Sequence, residues 1–578
     1  MEEESLRYCC IDKPRCGLCQ FLLRDGEAVV ARLFDLGNDV PETMLMLGLS
    51  DTQSSTTSTH PLRSRFDEMT QYDFNPSMCW EETRRRRIRS KVASELSAAG
   101  LLRRMPRELC CMVARYLVRE CAAVDWEHRT RDRRPSTYTI QLDQDIYMTR
   151  TAVEGVSYVQ SLHNRSAPSR RSGRLVHDSR AGHVDWKIYV AYDHLGVRDV
   201  DVWSASDEDL PTSRIRHGVW WTELAPDAAG SARGLKVRRL ENDAHVPSTT
   251  KGSFPSPRWP IPGLACRVLD LDTCAVAESP PGSLRMSFFE CNASLTTGYS
   301  VAISGNHIRT ICSHHSGTPP RCYSEMDAIS TSSLLWMHLP MSTDEHLAEI
   351  WALKHLESGF VALMLCTSRK RAVLFGSYML HPEVPLQLCR VYATANRPSR
   401  VYFDDWDPFW DAKRIKHLAF VGDGLDARGT QTADRISSWK PYPPSLMAAS
   451  PPPYTQYNEP WYYTNCRLEN ATEITCCADE TASHKPIIGI LVRYRDGSRS
   501  CLGQHRTDRE QHTSTVHPAT PLRIGLGKTK RKLPFVKKIS TQDPSRPEVG
   551  SLSWISIPWR GRLEWWFSQR QCKICHSE

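Results

Sequence analysis

Beyond residue 130 the apolar side chains return at every second position rather than every third or fourth, and that period constrains the fold most. Val184, Trp186, Ile188, Val190 and Tyr192 alternate in this way. So do Ile488, Ile490, Val492 and Tyr494, which run into Asp496-Gly497 before 498–503 return. A period of two puts one set of side chains on one face of a strand, and Asp-Gly closes a tight hairpin. Segments 139–147, 153–162, 284–289, 299–303, 308–311, 361–365 and 561–568 read as further strands, with a return strand through Val197, Val200 and Val202. Prolines outnumber glycines 37 to 30, which also disfavours long helices. Residues 344–357 are the one helix expected there, and 507–520 and 528–550 read as poorly ordered. The expected class is α+β, mostly β: a small N-terminal knuckle-hairpin and a helical segment, then a large antiparallel β region built as a sandwich, a barrel or an irregular propeller.

A chain of 578 residues exceeds what one core accommodates. Composition divides it into a small cysteine-containing hairpin module (1–80, with a turn at Asp25-Gly26), a helical segment (81–128), a large β region (136–423), a proline-rich linker or long loop (424–460), and C-terminal β segments with a disordered basic insertion (461–578). The net charge of +8 is mild over this length. Basic residues cluster at 84–91 (RRRRIRSK) and 528–538 (KTKRKLPFVKK), runs that serve as import signals, contact nucleic acid or lie in water. The first residues, MEEESLRYCC, are acidic and lack the apolar stretch of a secretory signal, and the longest apolar run, 360–366, is too short to cross a bilayer. The expectation is a cytoplasmic or nuclear chain, with no membrane partner and with its 21 cysteines reduced. The sequons at Asn164, Asn292 and Asn470 are then chance matches.

Cys16-Gly-Leu-Cys19 supplies two thiolates from one knuckle, as tetrahedral zinc prefers; Cys79 and His60 are the candidates to complete the site, and Cys9 or Cys10 are possible substitutes. The competing reading is a small cluster of reduced cysteines. Cys572-Lys-Ile-Cys575-His576 matches the haem c attachment pattern in letters only, with no chain after it to enclose a haem. His307, His314 and His315, with Cys312 among them, fit a strand better than a metal site. Asp404, Asp405 and Asp407 surround Trp406 beside Pro408, which fits a surface turn better than acid–base chemistry. No phosphate-binding loop, dinucleotide fingerprint, HExxH, GxSxG or kinase motif is present, so a non-enzymatic role is expected.

The segment Met105-Pro-Arg-Glu-Leu-Cys-Cys-Met-Val-Ala-Arg-Tyr-Leu-Val118 is the strongest functional lead. Pro106 opens a helix at a position where a missing amide costs little, and Leu109, Met112, Val113, Tyr116 and Leu117 recur at three- and four-residue steps. Such a stripe fits a partner's groove. The segment resembles the opening of an F-box, usually Leu-Pro-x-Glu-Leu followed by a Tyr-Leu-like pair. That resemblance implies docking on the Skp-type adaptor of a cullin–RING ubiquitin ligase through Met105, Pro106, Leu109, Val113, Tyr116 and Leu117, with a downstream domain choosing the substrate. It covers about twenty residues, and Val124-Asp-Trp126 runs directly into charges and Pro135 where an F-box continues in further helices. The whole chain also resembles a group of filamentous-fungal proteins that share an N-terminal Cys-x-x-Cys hairpin, a Leu-Pro-x-Glu helix and a long β region. Segments like Gly489-Ile-Leu-Val-Arg-Tyr-Arg-Asp-Gly and Leu563-Glu-Trp-Trp-Phe-Ser end that region. Asn75 stands where that group often has a histidine four residues before Cys79. Two other roles compete with an adaptor: a nuclear zinc-containing nucleic-acid binder using Cys16, Cys19 and the 84–87 arginines, and a carbohydrate-binding β domain, since the 486–503 hairpin resembles strands of jacalin-type modules.

Overall fold

A computed structural model describes residues 21, 29–32, 44–47, 78–98, 106–122, 144–153, 156–164, 173–181, 186–193, 196–204, 218–224, 257–262, 266–277, 284–329, 334–380, 385–393, 397–404, 414–421, 431–433, 446–453, 459–542 and 552–578. The described chain is mostly β, with few helices. It divides into two compact units, Met1–Phe254 with Pro260–Gly263, and Pro255–Trp259 with Leu264–Glu578. The division thus falls inside the stretch read from composition as one block, 136–423.

In the first unit, strand Trp186–Tyr192 lies between Val197–Ser204 and Trp220–Leu224. Its alternation serves two cores. Ile188, Val190 and Tyr192 pack with Ile146, Met148, Val159 and Leu162, while Tyr189 and Ala191 pack with Val219 and Trp221. Strand Ile146–Val153 pairs with both Val156–His163 and Arg174–His177. Charges bind these sheets together: Arg150 lies 2.5 Å from Asp199, and Asp193 takes bonds from Arg198 at 2.9 Å and the Tyr158 hydroxyl at 2.8 Å. Two helices, α1 (Met78–Ala98) and α2 (Arg107–Tyr116), complete the described part with the strand pair Val29–Arg32 and Met44–Leu47. The Asp25-Gly26 turn lies outside the described residues.

The second unit is nested. Strand Cys266–Asp270 pairs with His417–Val421, and Met286–Cys291 with Ser399–Asp404. Segments about 150 and about 110 residues apart in sequence are thereby paired, bracketing most of the strands between them. Inside lie the three-stranded sheet of Thr296–Ser304, His307–His315 and Leu335–Pro340, and the sheet built on Leu347–His355. The same device recurs downstream. Tyr462–Arg467 pairs with Arg562–Phe567, enclosing the sheet that carries Ile487–Tyr494. One apolar cluster runs from Leu269 to Ile574 through both nests. Strands Leu335–Pro340 and Arg562–Phe567 are covered on both faces, so neither alternates between buried and exposed, and the polar side chains His338 and Glu564 are buried with the rest.

Three expectations are corrected. Residues 344–357 contain no helix: Leu347–His355 is a strand paired on one side with Val361–Thr367 and on the other with Leu386–Ala393. Its Ala, Leu, Glu and Lys favour helix, but two-sided pairing overrides propensity. The segments read as poorly ordered carry an edge strand, Glu510–Thr515, and the strand Pro534–Ser540, which forms a hairpin with Leu522–Lys528; of the remainder, 543–551 lie outside the described residues. The proline-rich 424–460 stretch is built in at two places: Gln431–Ala433 pairs with Leu386–Ala393, and Leu446 and Met447 join the core around Leu380 and Leu388.

Candidate docking helix

Helix α2 begins at Pro106, which occupies the cap itself, one position earlier than a first-turn proline. Its carbonyl accepts from the amides of Leu109 at 3.0 Å and Cys110 at 3.2 Å. Glu108 in the first turn and Arg115 in the last oppose the helix dipole favourably. The backbone bends at Leu117, whose amide reaches the Ala114 carbonyl at 3.2 Å, and 118–122 are helical again.

The helix turns its small side chains inward. Cys110, Ala114 and Val118 are buried with Ile88, Val92 and Ala93 of α1 and with Phe21. Cys110 and Ala114 allow the close approach to α1 that leaves the larger stripe outside. Leu109, Met112, Val113 and Tyr116 are 44%, 61%, 38% and 81% exposed, and Leu117 is half-buried. Positions 109, 112, 113 and 116 follow helical spacing, so these side chains form one continuous outward apolar face.

The basic run on α1 is split by the fold. Arg84 is buried and Arg85 half-buried, each guanidinium lying 4.3 Å from the centre of the Phe21 ring, and Arg85 also reaches Glu81 at 3.1 Å. Arg86, Arg87 and Arg89 are exposed. Half of the RRRR sequence therefore builds the unit.

Of the other candidates, Cys16, Cys19, His60 and Met105 lie outside the described residues, and Cys79 is placed only as backbone in the first turn of α1. Among the described residues no group of three or more His, Cys, Asp or Glu is arranged to hold a metal ion. Strand Cys572–Ser577 puts Cys572 and Cys575 on opposite faces, which pulls the haem-like motif apart. Asp404 accepts from the amides of Lys416 and His417 at 2.9 Å each and holds a strand end; Asp405 and Asp407 lie outside the described residues.

The histidine cluster is dispersed along strand His307–His315. His315 faces Glu290 at 3.6 Å, whereas His314 enters a buried network that the sequence did not reveal. Ser300 Oγ lies 2.7 Å from His314 Nε2, 2.8 Å from His338 Nδ1 and 3.0 Å from the Tyr323 hydroxyl. His338 packs on His505, whose Nε2 meets Glu510 at 2.8 Å. Burial, with His315 and His505 nearby, pushes His314 down to about 4, and burial together with His314 and His505 holds His338 well below the usual range. Ser300 and Tyr323 are fully buried, so the hydroxyl has no open approach and the network ties strands together. No local pattern marks this network, since its members are spread from 300 to 510. No family model matches the chain, and no curated protein sequence matches it.

Proposed function

We propose that the chain is a non-enzymatic interaction adaptor that docks through α2 on a Skp-type subunit of a cullin–RING ubiquitin ligase, its β units presenting the substrate. One observation supports this above all: the large apolar side chains of α2 face outward while its small ones build the unit. The resemblance of 105–118 to an F-box opening supplies the partner. No described helix is long and apolar enough to cross a membrane, so α2 is not read as part of a membrane span.

The test is a titration of the full chain against a purified Skp-type adaptor. Burying a whole Leu or aromatic side chain is worth roughly 1.5–3 kcal/mol. Replacing Leu109 and Tyr116 together by Asp should therefore weaken binding by about a hundredfold or more. The double variant should keep the unfolding midpoint of the wild type. Absence of wild-type binding, or equal binding by the folded double variant, ends the proposal.

A further inference from the structure

The hairpin Leu522–Lys528 and Pro534–Ser540 has an inner and an outer face of opposite character. Leu522, Ile524 and Val536 point inward and are fully buried. Outward, the register sets Trp554 of strand Ser553–Ile557 beside Gly525, Gly525 beside Lys538, and Gly527 beside Phe535. A Cβ on Gly525 would sit 3.1 Å from the Trp554 ring, and one on Gly527 2.8 Å from the Phe535 ring. The two glycines thus let both rings lie across the strand, each half-buried. The Arg523 guanidinium stands 4.9 Å from the Trp554 ring centre, and the His484 ring packs 4.5 Å from Phe535.

The hairpin itself carries charge of one sign. From Leu522 to Ser540 the chain has seven Lys and Arg and no Asp or Glu. Lys528, Lys530, Arg531, Lys532, Lys537 and Lys538 are all exposed. The tip is a fixed turn, with the Lys532 amide donating to the Thr529 carbonyl at 2.8 Å and the Thr529 amide to the Leu533 carbonyl at 2.9 Å.

We propose that this face binds single-stranded nucleic acid, with bases stacking on Trp554 and Phe535 and the surrounding lysines and arginines taking the phosphates. Flat π faces framed by cations suit unpaired bases, which stack with little regard to sequence. A duplex hides those faces inside its own stack. A membrane surface fits less well, because the tip that would enter it carries Lys530, Arg531 and Lys532 and no aromatic residue. The site lies in the second unit and is independent of α2.

Fluorescence anisotropy of labelled oligothymidylate and oligouridylate with the full chain tests this, beside a duplex of equal length and phosphatidylserine vesicles. The wild type binds the single strands in preference to the duplex, with affinity falling as salt rises. K530E/R531E/K532E, all at the exposed tip, loses at least about tenfold, and its log–log salt slope is shallower by about 2, from roughly 0.7 per phosphate. Trp554→Leu loses about tenfold for single strands and leaves heparin binding unchanged. Unfolding midpoints equal to the wild type qualify each variant, and Lys528→Glu with Lys537→Glu replaces the tip variant if that fails to fold. Duplex binding as tight as single-strand binding, folded variants that bind like the wild type, or binding to vesicles alone overturns the proposal.

Discussion

Acidification should loosen the second unit in a pH window set by its buried imidazoles. His314 and His338 are each 6% exposed and share the Ser300 hydroxyl. Around them stand Tyr323, His505, His315, Arg499, Asp508 and Glu510; burial is the main cost of a further positive charge, the neighbouring imidazoles and Arg499 add to it, and Asp508 and Glu510 offset part of it at His314. In the unfolded chain His314 takes a proton near 6.5; in the fold it does so only at about 4. The folded value is the lower one, so the unfolded state binds more protons between them, and stability present above 6.5 is lost as pH falls through that interval. About 2.5 pH units at 1.36 kcal/mol each gives about 3 kcal/mol from His314 alone, and His338 acts in the same direction. Carboxylates act in a separate window. Burial pushes Glu345 up, but its pairing with Arg371 prevails and holds it below its usual value. Burial likewise opposes the bonds to Glu564 from Ser450, Tyr463 and the amides of Ala449 and Ser450, which win. Their stability is present above 4.5 and lost only below it. Urea unfolding of the full chain at several values between pH 7 and pH 4.5 reads the histidine window. His314→Gln retains a polar partner for Ser300 without the titration, and should flatten the slope. Constant wild-type stability across this window, or an identical slope in the variant, would refute the reasoning.

Other perturbations have equally definite outcomes. Arg371→Met strands the buried Glu345 carboxylate, which Arg371 meets at 2.5 Å, and removes a donor to the Pro340 carbonyl at 2.7 Å; the expected loss is about 3–5 kcal/mol by chemical unfolding. Gly489→Ala drives a Cβ into the Gln504 carbonyl and to 2.6 Å from the Leu502 carbonyl, so thermal melting should show a lower midpoint or no folded protein. Ala114→Leu overfills the contact between α2 and α1 and should cost about 1–3 kcal/mol, whereas Tyr116→Asp on the outer face should stay within about 0.5 kcal/mol of the wild type.

Local order was largely legible in the sequence, and long-range pairing was not. The alternation of 184–192 and 486–494 marks strands, although 188–192 are buried on both faces, the two sides meeting different apolar clusters. The Asp496-Gly497 turn is equally plain, with Gly497 at a φ of 80°. The pairing of 266–270 with 417–421 leaves no local mark, because each strand's own pattern is compatible with many partners. Residues 347–355 misled because their composition favours helix while two neighbouring strands hold them extended. The basic stretch 528–538 looked unstructured by charge alone, yet Leu522, Ile524 and Val536 anchor it from beneath. For α2, spacing identified the stripe of 109, 112, 113 and 116. Which face turned outward depended on α1 and Phe21, beyond the reach of a periodicity argument.

Oxidative footprinting of Met112 and Tyr116, with and without a Skp-type adaptor, tests the docking account most directly. Both side chains should react quickly in the chain alone, at 61% and 81% exposure, and become protected when the adaptor is added. Slow labelling in the chain alone, or labelling that the adaptor leaves unchanged, would contradict it.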